Sequence, residues 1–167
     1  MKKYELTEET FTVFGKTLYR IRSVRDFGSV KTGEFGGYIE KEENLSHFGN
    51  AWIYGDARVF DNAWVYGNAK VYGNAKVYGD AWVYGNAEVF NTRHFFVQGP
   101  IGSRDGYVTF YRTKDDTVEV RCGCFSGSLQ EFVNQVEETH GGSRYEKEYK
   151  LAAELAKVCI RLEGESR

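Results

Sequence analysis

A six-residue phrase, Asn/Asp-Ala-x-Val-Tyr-Gly, recurs from Asn50 to Glu88, and a period that strict dictates the path of the backbone before composition is considered. Seven alanines fall six apart (Ala51, Ala57, Ala63, Ala69, Ala75, Ala81 and Ala87), and an aliphatic residue follows two places after each, from Ile53 to Val89. Residues two apart on a strand share a face, so each Ala-x-Val triplet predicts a short strand whose two small residues point inward and whose middle residue points out. Glycine at 49, 55, 67, 73, 79 and 85 sits beside Asn or Asp and supplies the positive φ of a tight corner. Helical periodicity is absent, and the glycine and β-branched content opposes a helix independently.

The phrase, carried over about sixty residues and echoed by weaker hexads at Phe35-Gly36-Gly37-Tyr38-Ile39 and Leu45-Ser46-His47-Phe48-Gly49-Asn50, resembles the hexapeptide-repeat family. That resemblance implies a left-handed parallel β-helix with three hexads to each turn of a triangular prism. A right-handed β-helix rarely keeps so strict a count. With three hexads per coil, residues eighteen apart stack at the strand spacing of about 4.8 Å. Trp64 and Trp82 are then expected one above the other on the outside of one face. Trp52, Lys70 and Glu88 line the second face, and Arg58 and Lys76 the third. His47 falls in a slot that is inward in the repeat. The aromatic position after each inward Val forms ladders near the corners. Two outward indoles need a cover, which a partner subunit, another part of the chain or a ligand would provide.

Around this prism the sequence divides into an N-terminal β cap (1–33), the hexad coils (34–92) and a C-terminal α+β subdomain (93–167). The cap is a hairpin: Phe11 to Phe14 and Leu18 to Arg22 alternate around Gly15-Lys16 and close the first coil, protecting its strand edges. Arg20, Arg22 and Arg25 with Asp26 form its solvated face. Past Phe90 the period breaks. His94 to Val97, Tyr107 to Arg112 and Thr117 to Cys122 read as a three-stranded antiparallel sheet. Two helices follow, each opened by capping-box spacing at Ser128-Leu129-Gln130-Glu131 and Ser143-Arg144-Tyr145-Glu146. The fold class is mainly β.

A net charge of −2 without a basic block argues against general duplex nucleic-acid binding. No apolar run is long enough to cross a bilayer, and the first residues lack the core of a signal peptide. Three cysteines without a framework spacing fit a reducing cytoplasm. No cofactor fingerprint occurs. Cys122 and Cys124 continue an inward alternation and are expected in the sheet–helix core, and a zinc site would lack two further ligands. Hexapeptide acyltransferases use a histidine base. Here His47 sits in an inward slot, His94 lies past the last coil and His140 at a helix C-terminus, so no catalytic residue is assigned.

The candidate ligand site is expected where the C-terminal subdomain meets the coils. Gly99 to Gly106 is glycine-rich and carries Arg104, while Gly123 to Ser128 runs into a helix N-terminus that favours anions. Gly102, Ser103, Arg104, Tyr107, Ser126 and Ser128 are therefore expected on one rim, where Tyr107, Tyr111, Trp64 and Trp82 would stack a planar group. The partner face is assigned to Trp52, Trp64 and Trp82, buried in a homo-oligomer with a trimer as the favoured count.

Taken whole, the chain resembles uncharacterised phage and prophage proteins that join a β cap, Val-Tyr-Gly-Asn-Ala hexads and an α+β tail. Asp26-Phe27-Gly28, Gly36 to Ser46, Gly99 to Arg104 and Cys122 to Gly127 carry this resemblance, which implies an accessory protein in the host cytoplasm. Three functions stay open. The first is sequestration of a small anionic, nucleotide-derived molecule in host–phage conflict. The second is a protein–protein inhibitor or assembly module using the Trp face against a host protein. The third is an acyltransferase.

Overall fold

The computed structural model describes residues 1–163 and divides into two compact units, Met1–Thr92 and Arg93–Arg167. In the first, the hexads form two-residue strands: β4 (Trp52–Ile53), β5 (Arg58–Val59), β6 (Trp64–Val65), β7 (Lys70–Val71), β8 (Lys76–Val77), β9 (Trp82–Val83) and β10 (Glu88–Val89). Pairing between coils is parallel. Trp52 lies beside Lys70 and Lys70 beside Glu88, Arg58 beside Lys76, and Trp64 beside Trp82, each step eighteen residues (70 − 52, 88 − 70, 76 − 58, 82 − 64). Every inward Ala from Ala51 to Ala87 and every aliphatic partner from Ile53 to Val89 is at most 1% exposed, so the alternating register buries two small side chains per strand. Asn50 donates to the Asn68 side chain (3.2 Å) and Asn62 to Asp80 (3.0 Å) across successive corners. Rings Tyr54, Tyr72 and Phe90 stack at 4.7 Å, and Phe60 on Tyr78 at 5.2 Å.

The weaker early hexads break the count. Ile39 pairs with Val59 and Leu45 with Val65, steps of twenty (59 − 39, 65 − 45) rather than eighteen. Because Ile53 is again eighteen before Val71, the two extra residues fall between Leu45 and Ile53. Leu45 thereby takes the inward aliphatic slot, and His47, expected inward, is displaced to the outside, where its ring stacks on Tyr4 at 4.3 Å.

The N-terminal hairpin is continuous with one wall of the coils. β1 (Tyr4–Val13) pairs antiparallel with β2 (Lys16–Ser23), turning at Phe14 and Gly15, both at positive φ. β2 pairs antiparallel with β3 (Phe35–Ile39), and β3 pairs parallel with β5, giving a mixed sheet in the order β1-β2-β3-β5-β8. The first residues also cover the second wall. Tyr4 and Phe27 meet Trp52 edge-on at 6.2 and 5.3 Å, and Trp52 is fully buried. Trp52 does face out of the coil, as expected, but the chain's own cap closes over it, which corrects its assignment to an exposed partner face. Lys3 is buried beside it, donating to the Ala51 carbonyl at 2.7 Å and lying over the Phe27 ring at 4.8 Å.

The second unit is a four-stranded antiparallel meander, β11 (Phe95–Ile101), β12 (Gly106–Arg112), β13 (Val118–Cys122) and β14 (Phe125–Ser128), followed by α1 (Leu129–His140) and α2 (Arg144–Cys159). The expected three strands become four because Gly123, at φ 56°, turns the chain back so that Cys122 pairs with Phe125 and Glu119 with Ser128. A short edge strand of Phe, Ser and Gly carries too little β propensity to announce itself. Val108, Phe110, Val120, Phe132, Val136, Tyr149, Ala152, Ala153, Ala156 and Ile160 form the core. Tyr111, expected at the surface, is fully buried, and Cys124, expected in the core, is exposed in the turn while Cys122 packs against the core.

Candidate functional site

The displaced corner after Leu45 makes one wall of a groove of about 620 Å³ in the first unit, and the outward tryptophans of β6 and β9 make the other. Its lining is Glu42, Glu43, Leu45, Ser46, His47, Phe48, Asn62, Trp64 and Trp82. Trp64 and Trp82 are 36% and 39% exposed and Phe48 is 80% exposed. The two indoles meet edge to face, 5.9 Å apart at 89°, rather than one flat upon the other, and Trp64 instead stacks on Tyr66 at 4.0 Å. Edge-to-face packing suits the ring quadrupoles better than a direct sandwich.

Polar groups converge on the same groove. Glu42 and Glu43 lie in a short 3-10 turn (Glu42–Asn44) pinned by Asn44, whose side-chain amide donates to the carbonyls of Asp61 (3.1 Å) and Ala63 (2.8 Å). Tyr4 adds a hydroxyl donated to the carbonyls of Glu42 (2.9 Å) and Leu45 (2.8 Å). Burial, with the charges of Glu42 and Glu43, pushes that phenol above its ordinary value. Glu42 accepts from Lys2 at 2.5 Å, and this contact holds its carboxyl below the usual carboxylate range. Glu43 takes no hydrogen bond or ion pair among the described residues and is exposed. His47 Nδ1 accepts the backbone N–H of Lys3 at 3.1 Å, so the neutral ring carries its proton on Nε2, which lies 3.6 Å from Glu42 Oε2 with no closer partner among the described residues.

In the second unit the residues assigned to an anion seat are brought together only in part. Gly102, Ser103 and Arg104 turn between β11 and β12, with Ser103 and Arg104 exposed and Tyr107 45% exposed. Ser128 pairs with Glu119, which pairs with Tyr111, five residues along β12 from Gly106 and so about 17 Å away. Sheet register thus sets Ser128 apart from the Gly102–Arg104 turn. Ser126, exposed on β14, faces Arg121 across the ladder. Both N–H seats are already filled by carboxylates of the chain itself. Gly102 N–H donates to Glu148 at 2.7 Å, and the Ser128 N–H and hydroxyl donate to Glu131 at 2.7 and 2.8 Å. These contacts hold both carboxyls below their ordinary range. At Gly102 a Cβ would sit 1.9 Å from the Tyr149 hydroxyl, so the glycine serves close packing.

His94 and Arg112 of the second unit are also buried. His94 is 9% exposed, and burial followed by the Arg112 charge lowers its pKa. Arg112 is 3% exposed and pairs with Asp116 (2.7 Å) and Glu163 (3.0 Å). Among the described residues no group of three or more His, Cys, Asp or Glu is placed to hold a metal, and no helix is long and apolar enough to cross a membrane.

No curated protein matches the chain. The family model described as the YdcK beta solenoid repeat matches two adjacent stretches, residues 51–67 and 69–85, which are the coils that carry Trp52, Trp64 and Trp82. With the parallel strand pairs stacked above one another, this makes the hexad region a repeat β-solenoid within a mainly β chain.

Proposed function

We propose that this chain is a non-catalytic binding module whose solenoid is a left-handed parallel β-helix of the hexapeptide type and whose Trp face docks a protein partner. The groove beneath Trp64 and Trp82 carries the reading: two large indoles and Phe48 stand partly bare beside a concave surface, and exposed aromatic patches of this kind mark interaction sites. The hexapeptide type is supported by the eighteen-residue step and by corner glycines at positive φ. Support for a non-catalytic role comes from His47, whose basic lone pair is spent on the Lys3 amide, where a general base needs it free. The small-anion reading draws little from the geometry, because Glu148 and Glu131 occupy the N–H groups that would seat an anion. Sequestration in host–phage conflict, and with it a host cytoplasmic location, rests on the resemblance to phage proteins.

Native mass spectrometry of the chain incubated with cell extract tests the reading. The wild type is expected to gain a partner's mass that the double variant Trp64→Glu/Trp82→Glu does not gain, with circular dichroism unchanged. A wild type that is already a trimer, split to monomer by the same variant, would instead assign the face to further copies of this chain. Partner mass retained in full by the variant overturns the Trp face.

A further inference from the structure

The charge of the groove names the chemistry of its occupant. This step rests on the docking reading above: we infer that the Trp64–Trp82 groove receives a lysine or arginine side chain from an extended basic segment of a partner protein. The formal charges on its lining are acidic. Glu43 is exposed and unpaired among the described residues, while Lys2, 2.5 Å from Glu42, matches the charge of that carboxylate, so the groove's net charge rests on Glu43. Asn62 donates one of its two amide N–H groups to Asp80, and its carbonyl oxygen is a further acceptor. Indole rings attract a cation placed over their faces within about 6 Å, and tryptophan does so best among aromatic side chains. An ammonium or guanidinium between Glu43 and the indoles meets a carboxylate and a π system together, whereas an acidic partner meets an unpaired like charge. Phe48, 80% exposed at the same groove, gives apolar contact to residues flanking the inserted side chain, and a small free ammonium would leave it bare.

The full chain carries three tryptophans, of which only Trp52 is fully buried, so indole fluorescence reports on the groove. Titration at low salt uses short peptides of equal length that are lysine-rich, acetyl-lysine, aspartate-rich or neutral apolar, with choline chloride as a separate arm. The lysine-rich peptide is expected to bind, acetylation to weaken it about tenfold or more, and added salt to weaken it further. Glu43→Gln, at an exposed position without a partner, should cost about threefold to tenfold with the fold unchanged. Choline binding that shares the Trp dependence while the lysine peptide fails replaces the peptide source by a small ammonium and overturns the inference. Acidic or apolar peptides that bind as well as the basic one, and lose binding in Trp64→Ala/Trp82→Ala, keep the docking face but overturn its charge class. No response from any arm, or responses indifferent to the Trp variant, removes both readings.

Discussion

Gly49 and Gly79 sit at equivalent corners of the solenoid with the same φ of 68°, yet a side chain at the two positions meets different surroundings. A Cβ on Gly49 would lie 2.5 Å from the Gly67 carbonyl oxygen of the next coil, while a Cβ on Gly79 has nothing within 4 Å. Alanine at Gly79 therefore incurs only the left-handed backbone cost, about 1–2 kcal/mol. At Gly49 the same cost is joined by a backbone clash that forces two coils apart, adding about 1–3 kcal/mol by analogy with overpacking in a core. Asparagine separates the terms, because it tolerates the left-handed region but keeps a Cβ. Gly79→Asn should recover most of the stability lost in Gly79→Ala, and Gly49→Asn should recover little. Thermal unfolding followed by circular dichroism reads the difference, at about 4–8 °C per kcal/mol for a unit of this size. Equal losses for Gly49→Ala and Gly79→Ala would refute the close approach of adjacent coils at this corner.

Ala69 is fully buried between the equivalent slots of the neighbouring coils, so Ala69→Leu should cost about 1–3 kcal/mol while Lys70→Leu, one residue along and facing out, stays within about 0.5 kcal/mol by denaturant titration. Burial, then the Arg25 charge, lowers the Lys3 pKa from 10.5 to about 8. Between those values the unfolded chain binds the additional proton, so stability should rise as pH climbs from about 8 toward 10 and this rise should vanish in Lys3→Met. The window closes near pH 10, where the raised Tyr4 phenol makes unfolding more favourable with further pH. Gly102→Ala should destabilise the second unit by about 1–3 kcal/mol through contact with the Tyr149 ring, measured by hydrogen exchange at the amides of β11 and α2, and an unchanged protection pattern there would contradict the packing.

The inward register was legible from Ala51 to Val89 because a period of six with two small residues per strand admits one alternation only. The helices were legible for a similar local reason: Ser128 and Glu131 form the reciprocal cap that their spacing announces. What escaped is non-local. Trp52 and Trp64 occupy the same place in their hexads, and nothing within either hexad says that Tyr4 and Phe27 will cover one indole and leave the other 36% exposed. The separation of Ser128 from Arg104 escaped for the same reason, since it follows from the unrecognised strand β14, which carries Ser128 away from the turn at Gly123.

The groove itself had a signal, but a weak one. Counting back from Ile53 in sixes puts His47 in an aliphatic slot, and an imidazole there would bury a polar ring without an obvious partner. Shifting the frame by two residues places Leu45 in that slot instead, where it is 1% exposed and bridged to Val65. The surplus residues must then leave the prism, and they carry His47 and Phe48 to the outside beside Trp64 and Trp82. A perfect repeat would have presented a flat ladder on this face. The two-residue slip gives it a concavity, and the adjoining turn places Glu42 and Glu43 at the edge of that concavity. Deleting two residues from Phe48 to Asn50 would therefore restore the count of eighteen and should leave the coils at least as stable while flattening the groove. The measurement is acrylamide quenching of Trp64 and Trp82 alongside the thermal midpoint. A deletion that unfolds the coils, or one that leaves the indole environment unchanged, would show that the groove does not arise from the slip.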